Sequence, residues 1–136
     1  MSREIVQQID QAFANLIASL KDLAGSVSPD LLLRSAAVIE QTCGGLTANL
    51  WDDPFEWTLP ETLSNTGLII EYLSEVDLAR QRAFNAIRDD TALTRYISAP
   101  TGEQQLVNLL LDTLVKAGDY RGRAVATIKL LSGEGT

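Results

Sequence analysis

Apolar residues recur at steps of three and four along most of this 136-residue chain. That spacing gathers them on one side of an α-helix, so each helix must bury its apolar side against another. Four stretches carry the pattern, at about residues 3–24, 28–50, 65–88 and 103–132. We therefore predict an all-α fold, a four-helix bundle, with residues 1–136 forming a single domain.

Polar residues beside the pattern mark the expected helix starts. The sequence Ser-Pro-Asp from Ser28 suits the start of the second helix, with the serine as cap. Ser64 or Asn65 suits the cap of the third helix, and Thr101 suits that of the fourth. Residues 89–102 are expected to form a connector with a short turn near its middle.

Apolar and small residues also predict how the helices pack. The first helix should bury a stripe of six residues, widened by three more. The stripe is Ile5, Ile9, Ala12, Leu16, Leu20 and Leu23, and the widening residues are Val6, Phe13 and Ile17. Gly44 and Gly45 lie inside the second helix, and Gly118 and Gly122 form a small-xxx-small pair in the fourth. We expect these glycines to allow a close helix crossing, within one chain or across a dimer.

Residues 51–63, WDDPFEWTLPETL, interrupt the helical pattern. Pro54 and Pro60 prevent a continuous helix, and the aromatic residues are too apolar for a free linker. Two interpretations fit this segment. It is either a strap folded over the bundle or a lid whose aromatic side chains face a ligand pocket.

Charge and composition exclude several classes of function. The net charge is −7, which argues against general binding to nucleic acid or to an anionic membrane. The chain has no histidine, so it lacks the commonest general base and the commonest transition-metal ligand. No apolar run reaches the ~18 residues that a membrane span needs. We expect a cytoplasmic protein without a metal or other cofactor.

Two residues on apolar helix sides are candidates for chemistry. Cys43 is either a small core residue or a nucleophile, and a nucleophile would need exposure and a cationic neighbour. Arg80 stands where the third helix should be apolar. It either keeps its guanidinium in water at the margin of the stripe or anchors an anionic ligand from a buried position.

The fourth helix carries a polar cluster in its middle. Lys116 and Tyr120 are four residues apart and share a helix face, and Asp119 is within reach of Lys116. A Lys–Tyr pair in a dry pocket can act as acid and base. The alternative is a surface Lys–Asp pair beside a half-buried tyrosine.

Two segments resemble the DinB-like (DinB/YfiT-type) family of four-helix metalloenzymes. The segment PTGEQQLVNLLLDTLVKAGDYRGRAVATIKLLSG resembles the family's C-terminal signature, with its Arg-Gly pair at Arg121 and Gly122. The segment SPDLLLRSAAVIEQTCGGL resembles the family's second helix, and Glu40 would be the family's glutamate. The resemblance implies an up-down-down-up bundle with an irregular connection between helices two and three. It also implies a homodimer and a pocket between helices two and four.

The family's three metal-binding histidines would fall on Ser35, Lys116 and Tyr120. These residues cannot replace three imidazoles, because the lysine ammonium repels a cation and the other two are poor neutral ligands. The family's metal-dependent hydrolase or thiol-transferase activity therefore should not transfer to this chain. The three side chains are nevertheless expected to converge in the bundle.

We accordingly predict a DinB-like protein that has lost its metal site and acts as a non-catalytic homodimer or small-ligand-binding protein. Lys116 would bind an acidic group of the ligand, supported by Arg80 or Arg121. One alternative is a metal-free hydrolase or thiol-dependent transferase that uses Lys116, Tyr120 or Cys43. The other is a structural or interaction module with its glycine-lined helix faces as the interface.

Overall fold

The computed structural model describes residues 2–49, 51, 65–100 and 102–132, and their side chains as far as residue 127. Within these ranges the chain is mostly helical and forms four α-helices, as predicted for a helical bundle. They are α1 (Glu4–Leu23), α2 (Pro29–Ala48), α3 (Thr66–Asn85) and α4 (Leu106–Ser132). In the same part of the chain, no helix has both the length and the apolar character needed to cross a bilayer.

The segment between α3 and α4 differs from the predicted connector. It contains a 3-10 helix, Asp90–Thr94, and an antiparallel hairpin of β1 (Tyr96–Ala99) and β2 (Gly102–Gln105). The fourth helix therefore begins at Leu106, whose N–H donates to the carbonyl of Arg95 (2.8 Å). Pairing with β1 has overridden the helical tendency of the two glutamines in β2. Thr101, the predicted cap, lies outside the described residues.

Reciprocal capping ties the ends of α1 and α3 together. Nη2 of Arg3 donates to the carbonyl of Phe84 at the end of α3 (2.9 Å). The carboxylate of Asp90 accepts from the N–H groups of Ile5 (3.2 Å) and Val6 (2.9 Å) in the first turn of α1. These are backbone groups that a helix leaves without an internal partner. The start of α1 thus lies at the end of α3, and the two helices run antiparallel.

Two buried hydrogen bonds join α2 to α4. Ser35 Oγ donates to the carbonyl of Ala117 (2.6 Å), and the hydroxyls of Thr42 and Thr113 lie 2.6 Å apart. The residue number rises along α2 as it falls along α4, so these helices are also antiparallel. Their contact is the one that carries the candidate site.

The buried side of α1 differs from the predicted stripe. The fully or largely buried residues are Val6, Ile9, Phe13, Ile17 and Leu20. Ile5 is 51% exposed, and Ala12 is exposed. Two overlapping stripes fit the helical period equally well, because adjacent residues are only 100° apart around a helix. The contact with α3 buries the stripe that contains Phe13, whose ring lies 5.2 Å from that of Phe84 between centroids.

The predicted helix crossing within the chain is wrong for three of the four glycines, namely Gly45, Gly118 and Gly122. A Cβ added to Gly118 or Gly122 would meet no atom within 4 Å, so no neighbouring helix lies against them. A Cβ on Gly45 would instead lie 2.3 Å from the indole ring of Trp51. Gly45 therefore makes room for an aromatic side chain rather than for a helix. A dimer formed through Gly118 and Gly122 stays a prediction.

Two of the three predicted caps fall on described residues. Asn65 Oδ1 accepts from the N–H of Leu68 (2.9 Å), as expected for the cap of α3. Ser28 precedes α2, but its side chain makes no capping hydrogen bond, which corrects the prediction. The connector from residue 52 to 64, with its strap and lid interpretations, lies outside the described residues.

Candidate functional site

A cavity of about 720 Å³ lies between α2, α4 and the hairpin. That volume is typical of sites for small molecules. On α4, the lining residues recur at steps of three and four and therefore form a single helix face. They are Leu109, Asp112, Thr113, Lys116, Asp119, Tyr120 and Arg123.

A buried pair of hydroxyl groups, one from α2 and one from α4, lines the cavity. Thr42 and Thr113 are only 5% and 3% exposed. Thr113 Oγ1 donates its single proton to the carbonyl of Leu109 (2.9 Å). Thr42 must therefore be the donor in the bond between the two hydroxyls. Both protons are used in this arrangement, and Thr42 and Thr113 both line the cavity.

Trp51 contributes an aromatic wall. Helix α2 ends at Asn49, which adopts a left-handed conformation (φ 55°) and turns the chain back. The backbone carbonyl of Trp51 accepts from Nε2 of Gln41 (2.7 Å), and its indole N–H donates to Oδ1 of Asn49 (2.9 Å). With its ring on Gly45, Trp51 is held at both its backbone and its side chain.

The charged residues of the α4 face pair differently from the prediction. Asp119 accepts from Arg123 Nη2 (2.8 Å) and not from Lys116. The guanidinium of Arg123 also lies over the Tyr120 ring, 5.5 Å from its centroid. Lys116 is exposed and lines the cavity. Within the described residues, no carboxylate lies at ion-pair distance from it.

Ser35 does not join Lys116 and Tyr120, which corrects the predicted convergence of the three. Lys116 and Tyr120 line the cavity, whereas Ser35 is fully buried and its hydroxyl bonds the α4 backbone. The family's divalent metal does not fit these three residues. The Ser35 hydroxyl is already bonded to the Ala117 carbonyl, and the Lys116 ammonium repels a cation. The described residues also contain no group of three or more acidic, cysteine or histidine side chains suited to a metal.

Neither predicted supporting arginine reaches the cavity. Arg80 lies between α1 and α3, where its guanidinium pairs with Asp10 and with Asp77 (Nε to Oδ1, 2.9 Å). Its side chain is only 11% exposed, so it is neither a solvated margin residue nor an anchor awaiting an anion. Arg121 is directed to α1, where its Nε donates to Ser19 Oγ. Both assignments are therefore corrected.

Cys43 is a core residue. Its side chain is 1% exposed, and burial raises the pKa of its thiol to about 12. The nearby positive charge of Arg80 lowers that pKa, but burial outweighs it. A thiol without access or thiolate character is a poor nucleophile. Cys43 therefore packs in the hydrophobic core and is not a candidate nucleophile.

Glu40 faces α3 rather than the cavity. Its carboxylate accepts a hydrogen bond from the hydroxyl of Tyr72, which is itself largely buried. Burial raises the pKa of Glu40, the bond from Tyr72 lowers it, and the charge of Glu75 raises it further, with a net upward shift. The pair joins α2 to α3 and takes no part in the candidate site.

The sequence interpretation missed most of the cavity lining. Thr42, Thr113, Asp112 and Arg123 were not singled out. The spacing of the polar residues on α4 contained the necessary signal, because residues 112, 113, 116, 119, 120 and 123 share one face. Glu103, which lines the cavity from β2, could not be placed without the hairpin.

Comparison of the chain with family models, curated proteins and solved structures finds no match.

Proposed function

We propose that this protein binds a small molecule without catalysis, in the cavity between α2, α4 and the hairpin. The observation that carries the proposal is a cavity of about 720 Å³ whose lining includes Lys116, an ammonium without a carboxylate partner among the described residues. An acidic group of the ligand would supply that partner. Arg123 contributes less to this role, because its charge is already paired with Asp119.

The chemistry of the lining favours binding over catalysis. The two buried threonine hydroxyls bond each other and a backbone carbonyl, so neither is activated by a base. Cys43 lies in the core and does not line the cavity. Lys116 and Tyr120 share the cavity, but an exposed lysine lacks the dry surroundings that would adapt it to acid–base work.

The DinB-like relationship and the homodimer are part of the same proposal. Supporting the first, α1 and α3 are antiparallel, α2 and α4 are antiparallel, and only the short segment 24–28 separates α1 from α2. These directions agree with an up-down-down-up bundle. Supporting the second, α4 exposes Leu111 (45%) and Val115 (70%) on the side that also bears Gly118 and Gly122.

Thermal unfolding with a panel of small carboxylic, phosphoric and sulfonic acids tests the binding function. A ligand at 100 times its Kd should stabilise the protein by about 2.7 kcal/mol, which raises Tm by several degrees. The variant Lys116→Met should abolish that rise. Lys21→Met, which removes the same charge on α1 outside the cavity, should retain it. The proposal fails if no acid raises Tm, or if the rise survives Lys116→Met unchanged.

A further inference from the structure

Among the described residues, more unpaired carboxylates than unpaired cations line the cavity. Asp112 on α4 and Glu103 on β2 both line it, and neither side-chain carboxylate has a hydrogen bond or ion pair to another described residue. Asp112 precedes Lys116 by four residues, the arrangement that favours a direct ion pair on a helix. No such pair lies within 4.0 Å between them. The two opposite charges therefore border the cavity separately.

The hydroxyl pair adds a hydrogen-bond acceptor from the α2 side. Because Thr113 donates to Leu109 and Thr42 donates to Thr113, the Thr42 hydroxyl has lone pairs but no free proton to offer a ligand. A ligand group that reaches this hydroxyl must therefore be a donor. An acid alone would satisfy Lys116 but would bring its negative charge close to Asp112. An amine alone would suit the carboxylates but would be repelled by Lys116.

We infer that the ligand is a small zwitterion, in which an ammonium group accompanies the acidic group on an apolar body. This inference rests on the proposed binding function and names its ligand class. The acidic group contacts Lys116. The ammonium contacts Asp112 or Glu103 and donates to Thr42 Oγ1. The apolar body lies against the indole of Trp51, as expected where an aromatic wall borders a polar site.

Matched probes on common skeletons test the inference by calorimetry with the 136-residue chain. The skeletons of phenylalanine, leucine and valine are each presented as the amino acid, as the same acid without its amino group, and as the decarboxylated amine. The amino acid of at least one skeleton should bind about tenfold or more tightly than either of its counterparts, because each counterpart lacks one of the two charged hydrogen bonds. A tenfold difference in Kd corresponds to about 1.4 kcal/mol.

Substitutions then separate the two ends of the ligand. Asp112→Asn should weaken binding of the amino acid about tenfold, and it should leave binding of the matched acid unchanged or stronger because a repulsion is removed. Glu103→Gln should act in the same direction. Lys116→Met should weaken both compounds. Glu71→Gln, a matched change on the exposed side of α3, should alter neither.

The outcomes distinguish the inference from the function on which it rests. If an acid binds as tightly as its amino acid in a Lys116-dependent manner, the zwitterion is wrong and the binding function stands. The same conclusion follows if Asp112→Asn weakens both compounds equally. If no compound of the three sets binds, or if binding ignores Lys116→Met, both proposals are overturned.

Discussion

Three helical glycines differ in their surroundings: Gly45 is crowded, whereas Gly118 and Gly122 face open space. Substitution by alanine should therefore affect the stability of the protein differently at Gly45 than at the other two. Alanine at Gly118 or Gly122 would place its Cβ in open space. Alanine at Gly45 would place its Cβ 2.3 Å from the Trp51 ring, a distance that forces the indole to move. The comparison isolates the contact that builds the aromatic wall of the cavity.

The magnitudes follow from two competing effects. Replacing a helical glycine by alanine contributes about 1 kcal/mol of stability through helix propensity alone. Gly118→Ala and Gly122→Ala should therefore each raise Tm by about 4 °C. At Gly45 the same gain is opposed by overpacking, which costs about 1–3 kcal/mol. Gly45→Ala should thus be about 1–3 kcal/mol less stable than Gly118→Ala.

Urea unfolding of the three variants measures these differences. Tryptophan emission in a Trp57→Phe background, where Trp51 is the sole tryptophan, reports whether the indole has moved. If Gly45→Ala stabilises as much as Gly118→Ala and leaves the emission unchanged, the indole does not rest on Gly45. If Gly118→Ala instead destabilises the protein, and does so in a concentration-dependent manner, the outer face of α4 is covered by a second copy.

Three further predictions concern residues outside the cavity. Asp90→Ala removes both cap bonds at the start of α1 and should lower the free energy of unfolding by about 1–2 kcal/mol in urea, whereas the exposed Asp22→Ala should have little effect. The thiol of Cys43 should resist a thiol reagent at pH 8 until denaturant is added, and rapid labelling of the native protein would contradict its burial. Because the pKa of Glu40 is raised above 4.5, its carboxyl group stays protonated to a higher pH in the folded protein than in the unfolded chain. The free energy of unfolding should therefore fall as the pH rises from about 4.5 through the pKa of the folded state. Glu40→Gln should flatten this dependence, and equal slopes in urea titrations of both proteins would refute it.

Local patterns predicted the helices better than they predicted the site. Pro29 begins α2 and Asn65 caps α3 because both effects act within a few neighbouring residues. The start of α4 was misplaced, since Leu106 follows a strand that exists only by pairing with β1. The predicted buried stripe of α1 was placed too far round the helix, because the buried side is set by the contact of Phe13 with the Phe84 ring on α3.

The prediction of the site residues from the sequence failed in part for a related reason. Lys116 and Tyr120 were found because a single helix face carries them. Ser35 was added by analogy, but its position on α2 directs its hydroxyl to the Ala117 carbonyl. The sequence left Arg80 available for an anionic ligand. In the structure its guanidinium is already paired with two aspartates, one of which lies on α1.

By itself, the sequence determined that this chain is helical, where α2 and α3 lie along it to within a few residues, and that no imidazole can hold a metal. Each of these follows from residue identity and from spacing along one helix. Only the tertiary structure decided which polar groups share the cavity and which charges are neutralised. Those outcomes depend on contacts between residues far apart in the chain, such as Thr42 with Thr113 and Arg80 with Asp10. No spacing within one segment encodes such contacts, because the relative rotation and direction of two packed helices set them.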